Sequence, residues 1–442
     1  MDAREVSLLS LYDCQRQGVW SDAILKKRLA SAGLDSRDGA LATQLCFGVL
    51  QNRLLLDFYL SYFSERPLKR MEGKVVEALR LGAYQMLFLD KIPHSAAVNC
   101  SAGLTRKHCK NPRAVGMVNG ILRSLERNLD SLPAIPQEDA AGYLSIRYSH
   151  PEWLVKVFLS MMDSSETAKL LEANNGHPPI TAMTNTTRVT VEELAEILEG
   201  EGVQTQPHPW LENALILSKT GSLEQLSAFQ KGLFYIQDPA SKLAVLALDP
   251  KPGMRVLDCC AAPGGKSFGA AIQMENRGEV VSCDLSPHKK KLIQDGADRL
   301  GLGSVAPMTA DGKVHRVEWG NAFERVLVDA PCSGLGVIRK KPDIRYKDPA
   351  SLERLPEVQR AILDNAARYV KPGGVMVYST CTILRRENED VAQTFLAHHP
   401  EFRAERFCLP ECVGDARTGM LTLWPHRQGT DGFFICKLRK EG

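Results

Sequence analysis

Length, composition and charge place this chain among ordinary globular proteins. Its 442 residues are about three times the roughly 150-residue length of a typical domain, so two or three domains are expected. With 44% hydrophobic and 24% charged residues, the composition argues against a disordered, fibrous or membrane protein. The chain starts with neither a secretory signal pattern nor an apolar run long enough to span a membrane, which predicts a cytoplasmic protein without a membrane partner.

Charge is distributed unevenly along the chain. The formal net charge of +3 is too small to indicate a polyanionic partner. Between residues 64 and 128, however, 12 lysines and arginines stand against 5 acidic residues, a local excess of +7. Such a stretch is compatible with binding to nucleic-acid phosphates, and equally with helix faces that carry charge only towards solvent.

The cysteines indicate a reduced protein without a structural metal. There are 12 of them, diluted in a long chain that lacks a secretory signal, and two are adjacent, Cys259 and Cys260. Free thiols are therefore expected. Cys408 and Cys412 are spaced closely enough to suggest zinc, but no second pair has a matching spacing, so no metal is expected.

The first 135 residues are predicted to form an all-α bundle. Apolar residues recur every three to four positions in the helices expected at Asp38–Phe63, Lys74–Leu89, Ser95–Lys107 and from Pro112 to near Asn128. Asp38 is the expected N-cap of the first of these helices. Two prolines within Pro133–Gln137 indicate a linker that ends this domain.

Residues 140–235 are predicted to form a small α+β connector, and residues 236–442 an α/β domain. The connector is expected to contain helices near Trp153–Met162, Ser165–Asn174 and Val191–Gly200 and strands near Thr181–Asn185 and Ala214–Leu217. After it, helical stretches alternate with apolar strand cores at Arg255–Asp258, Glu279–Asp284, Arg325–Asp329 and Gly374–Ser379. This alternation is typical of a parallel, doubly wound sheet.

The loop after the first of these strands has the composition of a ligand-binding loop. Ligands of doubly wound sheets bind beyond the carboxyl ends of the strands. In Cys260–Lys266, small residues and two glycines let the backbone approach a ligand, and Lys266 can meet an anionic group at the next helix. Nucleotide phosphates and the methionine part of S-adenosylmethionine compete as ligands, but Cys260 stands where a phosphate-binding P-loop needs its first glycine.

Acidic residues at the next two strand ends fit a cofactor that contains adenosine. Asp284 follows Asp258 by 26 residues and can accept hydrogen bonds from both ribose hydroxyls. Asp311 lies where a third strand is expected to end, and there it can contact the adenine edge. An Asp-Gly turn explains Asp311 equally well.

Two cysteines follow the fourth and fifth strands, which are expected to be neighbours. Cys332 comes shortly after Asp329, and Cys381 ends the next strand. Buried structural cysteines are the alternative, but a thiol among small polar residues at a strand end fills a core poorly. Methylation of a pyrimidine at carbon 5 needs a thiol, an acid and an adenosine cofactor together, because a thiolate on carbon 6 makes carbon 5 nucleophilic. Chemistry alone allows either cysteine to attack, with Asp329 as the acid at N3.

The same residues carry a resemblance to a known family. The chain resembles the RNA cytosine-5 methyltransferases in Cys260–Lys266, Asp329–Cys332 and Ser379–Cys381, with Asn388 and Glu389 downstream. The resemblance extends from about Gln237 to Phe434. The helical N-terminal part is similar to the NusB-type RNA-binding domain of the bacterial 16S ribosomal RNA branch of that family, the RsmB, Sun or Fmu type.

The resemblance implies a class I, Rossmann-like S-adenosylmethionine-dependent methyltransferase domain after a NusB-like bundle and the connector. It implies that S-adenosylmethionine is bound by Cys260, Ala261, Ala262, Pro263, Gly264, Gly265, Lys266, Asp284, Asp311 and Asp329. It also implies that Cys381 is the nucleophile and that Cys332 assists product release. The implied substrate is a cytosine at about position 967 of 16S ribosomal RNA, which must be unpaired or flipped to reach the thiol. A monomer is expected.

One further segment and two rival functions remain open at this point. The basic segment Val337–Tyr346 is predicted to clamp the RNA backbone, with Tyr346 as a stacking surface, and a solvated basic loop is its alternative. A non-catalytic RNA-binding or assembly factor is favoured by the bundle, but the presence of Asp329, Cys332 and Cys381 argues against it. A P-loop ATPase is disfavoured by Cys260.

Overall fold

The computed structural model describes residues 1–17, 20–410 and 413–442. The chain divides into two compact units. The helical unit comprises Met1–Gly176 and Ile338–Lys347, and the sheet unit comprises His177–Val337 and Asp348–Gly442. Over the described ranges, no helix is both long and apolar enough to cross a membrane.

The helical unit is built from helices that bury an apolar face. They are α1 Ala3–Gln17, α2 Ser21–Ala32, α3 Ser36–Tyr62, α4 Gly73–Phe88, α5 His94–His108, α6 Arg113–Arg127, α7 Ala140–Tyr148, α8 Glu152–Leu159 and α9 Ser164–Ala173. The long helix α3 buries Leu45, Leu56 and Leu60 completely. It also approaches α4 closely at Gly48, where a Cβ atom would lie 2.0 Å from the Tyr84 ring. The helices predicted at α3 to α6 are thereby confirmed to within about two residues at each end.

The predicted N-cap of α3 is wrong. The helix begins at Ser36, and the side chain of Asp35 accepts a hydrogen bond of 2.7 Å from the backbone N–H of Asp38. Asp38 therefore lies inside the first turn, where a negative charge favours the positive end of the helix dipole.

The prediction that Val337–Tyr346 clamps RNA is wrong for Arg345, one of the four cations of the segment, because Arg345 is buried inside the helical unit. Lys341 is exposed, and its contact with RNA stays a prediction. The Arg345 side chain is fully buried, and its Nη1 donates to the carbonyls of Gln51 and Ser149 at 3.2 and 3.0 Å and to Oδ1 of Asn175 at 2.8 Å. Burial lowers the pKa of the guanidinium to about 10, which leaves it charged at neutral pH. A group satisfied in this way cannot contact RNA phosphates.

The side chain of Tyr346 is likewise engaged in contacts within the protein. Its hydroxyl donates to the carbonyl of Leu50 at 2.9 Å, and the guanidinium of Arg53 lies 5.0 Å from the centre of its ring. The ring face is therefore already engaged in a cation–π contact. This tyrosine is an anchor of its own segment and is not a base-stacking surface.

The first part of the sheet unit is a small antiparallel sheet with helices. Its elements are β1 Ile180–Thr184, α10 Val191–Gly200, β2 Gln204–Pro207, β3 Ala214–Ser218, α11 Ser227–Gln230 and β4 Phe234–Ile236. Over the described residues the strand order is β2-β3-β1-β4. Helix α10 begins with a capping box in which Thr190 and Glu193 each satisfy the other's backbone N–H.

The second part of the sheet unit is a doubly wound sheet. Its elements are α12 Pro239–Leu248, β5 Arg255–Asp258, α13 Gly265–Gln273, β6 Glu279–Asp284, α14 Pro287–Leu300, β7 Val305–Thr309, β8 Phe323–Asp329, α15 Leu355–Ala367, β9 Val370–Thr380, α16 Glu389–His398, β10 Phe402–Ala404, β11 Met420–Leu423, α17 Pro425–Gln428 and β12 Phe433–Lys440. The described strands run in the order β10-β12-β9-β8-β5-β6-β7, and β11 pairs with β12. The predicted parallel core, β9-β8-β5-β6-β7, is confirmed. The antiparallel strands β10 to β12 are an addition that the sequence patterns did not predict.

This topology determines where a ligand can bind. The chain passes from β5 outwards through β6 and β7, then returns to the other side of β5 to form β8 and β9. The direction of winding therefore changes between β5 and β8. A crevice opens at such a switch point beyond the carboxyl ends of the strands. The loops after β5, β8 and β9 all start at that edge.

Candidate active site

The loop between β5 and α13 forms a backbone cradle at this edge. Gly264 has φ of +115°, and a Cβ atom there would lie 2.3 Å from the ring of Phe268. Only glycine therefore fits the turn that starts α13. At Gly265 a Cβ atom would approach Nε2 of Gln237 to 3.0 Å. The loop thus presents backbone rather than side chains to the crevice.

The base of the cradle is a buried hydrogen-bonded network. The carboxylate of Asp258, at the end of β5, is 1% exposed and accepts a hydrogen bond of 2.7 Å from the hydroxyl of Ser267. Ser267 in turn accepts from the hydroxyl of Ser282 at 2.8 Å. Burial raises the pKa of Asp258 to about 7. The network ties the start of α13 to strands β5 and β6.

Two of the predicted cofactor carboxylates lie at neighbouring strand ends. The backbone N–H of Ala310 donates to the carbonyl of Asp284 at 3.0 Å, which places the residues after β7 beside the end of β6. Oδ2 of Asp284 accepts from the N–H of Ala262 at 3.3 Å, so this carboxylate also borders the cradle. Asp311 accepts from the N–H of Lys313 at 2.9 Å and thereby shapes its own turn. The turn expected at Asp311 is therefore confirmed, and its contact with an adenine edge stays a prediction.

A glycine cradle beside a carboxylate at the next strand end fits an adenosine cofactor with an amino-acid tail. The cradle supplies backbone donors, and Asp284 supplies acceptors for ribose hydroxyls. Cys260 and Ala261 start the same loop and leave no bulky or charged side chain in it before Lys266.

Replacing Asp284 with alanine is expected to weaken S-adenosylmethionine binding by about 1 to 3 kcal/mol, the loss typical of a buried polar partner. Titration calorimetry measures this directly. Asp295→Ala, on the exposed side of α14, removes the same charge and should leave the affinity unchanged. Equal affinities for the two variants would remove Asp284 from the cofactor site.

The lysine of the loop contacts the acid after β8. Nζ of Lys266 donates to Oδ2 of Asp329 at 2.7 Å, and the hydroxyl of Ser379 donates to Oδ1 of Asp329 at 2.8 Å. Burial lowers the pKa of Lys266, but Asp329 outweighs it and, with Asp258 and Cys381, shifts the pKa upwards. Lys266 therefore remains an ammonium group, and its partner in this structure is Asp329.

The two predicted cysteines lie in contact. The Sγ atoms of Cys332 and Cys381 are 3.2 Å apart, because β8 and β9 are adjacent and parallel and both thiols follow their carboxyl ends. The hydrogen bond between them, followed by burial and the charges of Cys381, Glu387 and Asp329, raises the pKa of Cys332 well above its ordinary value. Cys332 therefore keeps its proton, and its S–H can donate to Cys381.

Two side chains that hold this site were missed by the sequence patterns. Glu387 binds the backbone of Ser333, and Gln359 binds the carbonyl of Pro331. Glu387 directly precedes the Asn388-Glu389 motif, so its position beside that motif was an available signal. Gln359 lies within α15, and nothing in the local sequence distinguishes it from a surface residue.

The remaining cysteines match the prediction of a reduced protein. Every cysteine that the structure describes is a free thiol. Cys412, one half of the pair considered for zinc, lies outside the described residues. Among residues 1–17, 20–410 and 413–442, no three His, Cys, Asp or Glu side chains are grouped to hold a metal ion.

The fold and site have counterparts among known proteins. A crystal structure of the protein PH0851 covers 100% of this chain and 99% of its own, with a TM-score of 0.84 and 26% identity. A methyltransferase homolog from Pyrococcus horikoshii covers 69% of this chain and 100% of its own, with a TM-score of 0.60 and 27% identity. The doubly wound sheet with its cradle is therefore of the methyltransferase class.

The sequence comparisons narrow the class to one family. Residues 1–127 match the NusB family, residues 150–224 the ferredoxin-like domain of RsmF/B-like methyltransferases, and residues 245–439 the 16S rRNA methyltransferase RsmB/F family. A probable ribosomal RNA small subunit methyltransferase B of Bacillus subtilis is 40% identical over 446 residues, 99% of each chain. This chain belongs to the RsmB/F family of 16S rRNA methyltransferases.

Proposed function

We propose that this protein transfers a methyl group from S-adenosylmethionine to carbon 5 of one cytosine of 16S ribosomal RNA, through a covalent bond between Cys381 and carbon 6. The observation that carries the proposal is the contact between two thiols beside the Lys266–Asp329 pair. Thiol, acid and cofactor cradle converge at one sheet edge. When bound, S-adenosylmethionine supplies an electrophilic methyl group; the cradle residues 260–266 and the carboxylates of Asp284, Asp311 and Asp329 would hold it.

Attack on the base is assigned to Cys381. The two sulfurs lie 3.2 Å apart, and a Cys332 thiol that keeps its proton can donate a hydrogen bond to the Cys381 sulfur, which leaves Cys381 as the attacking group. When the thiolate adds to carbon 6, electron density moves through the ring towards N3. The proton that Lys266 donates to Asp329 in their hydrogen bond can pass through the Asp329 carboxyl group to N3, which neutralises the developing charge there and leaves Lys266 as a neutral amine. Carbon 5 then carries enamine-like electron density.

Release of the product is assigned to Cys332. After carbon 5 has been methylated, a water molecule can take the proton of carbon 5. The electron pair of that C–H bond then forms the C5–C6 double bond, and the pair of the C6–S bond returns to the Cys381 sulfur. The Cys332 thiol lies against the leaving sulfur and can hydrogen-bond to it as it regains its negative charge. A thiol that keeps its proton suits this role better than it suits attack on carbon 6.

The helical part, residues 1–135, is proposed to hold the RNA. Of the 12 cations between residues 64 and 128, the following nine are exposed: Arg66, Lys69, Arg70, Lys91, Arg106, Lys107, Lys110, Arg113 and Arg127. Arg80 does not take part, because it is buried against Asp57 and Glu77. The exposed cations suit phosphate contacts that position the RNA without reading its sequence.

Replacing Arg106, Lys107 and Lys110 with glutamine is expected to lower RNA affinity and to reduce the slope of log K against log salt by up to about 2, because each phosphate contact releases counterions. Lys107 contributes least, since it already pairs with Glu5. Filter binding at several salt concentrations measures the slope. Lys156, Lys169 and Lys251 are exposed lysines outside this stretch and provide a control triple variant. If the variant and the wild type have identical salt slopes, residues 64–128 are an ordinary solvated surface and do not bind RNA phosphates.

Mapping the product tests the proposal. Purified protein is incubated with S-adenosylmethionine and 16S RNA taken from a strain that lacks the gene, and the RNA is then sequenced after bisulfite treatment. One new 5-methylcytosine, absent without protein, is the expected result. RNA binding without any methylated cytosine would instead support the non-catalytic assembly factor, and a methyl group on another atom would overturn the cytosine-5 assignment.

A further inference from the structure

Two consecutive buried polar residues each hold a different cysteine loop. The first, Glu387, has a fully buried side chain just before α16. Its Oε2 accepts hydrogen bonds from the backbone N–H of Ser333 at 2.8 Å and from Nε2 of Gln359 at 3.0 Å. The same Nε2 donates to the carbonyl of Pro331 at 3.0 Å. Glu387 and Gln359 therefore fix the residues on both sides of Cys332.

The second residue, Asn388, is also fully buried and binds the other loop. Its Oδ1 accepts from the hydroxyl of Thr380 at 2.5 Å, and its Nδ2 donates to the carbonyl of Thr382 at 2.9 Å. These two threonines flank Cys381. The amide thus spans the nucleophile's loop as Glu387 and Gln359 span the loop of Cys332.

The presence of a glutamate at position 387 points to a role beyond packing. A carboxylate that is removed from water and bonded only to uncharged N–H groups is unfavourable for stability by itself. Oε1 of Glu387 has no hydrogen-bond partner among the described residues. A glutamine would satisfy such a site at a lower desolvation cost. A carboxylate oxygen accepts the hydrogen bonds of Ser333 and Gln359 more strongly than an amide oxygen would, and the charge of Glu387 contributes to the raised pKa of the Cys332 thiol.

We propose that Glu387 is the positioning residue of Cys332 and Asn388 the positioning residue of Cys381, so that two neighbours in sequence govern two different steps of the reaction. This inference rests on the proposed function, because it assigns release to one thiol and attack to the other. Ser333 donates to Thr382 through their hydroxyls at 2.8 Å, which keeps the two loops in register while each is held separately.

The two residues are expected to have opposite effects on the covalent RNA complex. Glu387→Gln should still attack and methylate in a single turnover but release slowly, so steady-state turnover falls roughly tenfold to a hundredfold and a denaturation-resistant RNA adduct accumulates. Asn388→Ala should slow attack by a similar factor and form little adduct. Denaturing electrophoresis of enzyme mixed with labelled 16S RNA and S-adenosylmethionine measures the adduct, and quenched single-turnover assays measure methyl transfer.

Controls separate a positioning role from a loss of fold. Asp390→Asn changes a neighbouring carboxylate to an amide at an exposed position and should behave like the wild type. Cofactor affinity, measured by calorimetry, reports whether each variant is folded. If Glu387→Gln fails to fold, Gln359→Ala removes the other side chain that holds the Cys332 loop and should give the same adduct.

The outcomes distinguish this inference from the proposed function. Adduct formed by Glu387→Gln but not by Asn388→Ala supports the division of roles. Two results would overturn the inference while cytosine methylation by the wild type stands. One is release at the wild-type rate by both Glu387→Gln and Gln359→Ala, and the other is an equal loss of attack in Glu387→Gln and Asn388→Ala. If the wild type methylates no cytosine, the proposed function itself fails.

Discussion

Replacing Cys381 with alanine is expected to abolish turnover, by about three orders of magnitude or more, and to remove every covalent RNA complex. The reason is that carbon 5 of cytosine is a poor nucleophile until a thiolate has added to carbon 6. Cys332 cannot substitute, because its burial and the charges of Glu387 and Asp329 still favour its protonated form once the Cys381 thiol has been removed. The measurement is methyl incorporation into 16S RNA, with adduct formation followed by denaturing electrophoresis.

Cys332→Ala should behave differently. Attack and methyl transfer remain possible, but the product leaves slowly, so an RNase-sensitive band of higher mass should accumulate. Cys436→Ala, a buried cysteine on β12, is the matched control and should form no stable adduct. The chemistry of the addition by itself allows either thiol to attack carbon 6. An adduct with Cys381→Ala and none with Cys332→Ala would therefore reverse the two roles.

Replacing Arg345 with methionine is expected to destabilise the helical unit by about 2 to 4 kcal/mol, because several buried carbonyl acceptors lose their donors at once. Removing the charge recovers part of its desolvation cost, which limits the effect. Arg345→Lys should lose most of the same stability. The lysine side chain ends one bond short of Nη1, which contacts Gln51, Ser149 and Asn175, and it has no counterpart of Nη2, which contacts the carbonyl of Asn174 at 3.4 Å.

Amide hydrogen exchange is the suitable measurement for this prediction. A chain with two compact units need not unfold in one step, and exchange reports the stability of each unit separately. Peptides from α3 and α7 should exchange faster in the variant, whereas peptides from β5 and β6 should not. Arg113→Met, at an exposed position on α6, is the control. Unchanged protection in α3 would show that the hydrogen bonds of Arg345 do not contribute to the stability of the helical unit.

Much of the fold was predictable because its determinants are local. Apolar residues at steps of three to four predicted α4 and α5 to within one residue at each end, and the strand cores of β5 and β6 were predicted without error. Periodicity and turn residues report on neighbours along the chain, which is all that such elements require. The same logic located the strand ends and hence the candidate site residues.

Errors arose where a residue's partner is distant or where two residues compete for one role. Asp35 and Asp38 are both good N-caps, and the helix start that chooses between them depends on packing. β10 to β12 were missed because they are defined by long-range pairing: β12 pairs with β9, and β10 and β11 pair with β12. No local sequence pattern indicates such pairing.

The sequence by itself determined which chemical groups this protein has and at which strand ends they stand; the tertiary structure decided which of them meet. Cys332 and Cys381 are 49 residues apart in the chain, yet their sulfurs touch because β8 and β9 are neighbours. Lys266 was expected to meet an anionic group of a ligand, but in the structure it binds Asp329, which lies 63 residues away in the chain. Arg345 was expected to face RNA, because a run of cations is normally solvated. It is buried because acceptors almost 300 positions away, at Gln51, surround it, and only the folded chain brings them there.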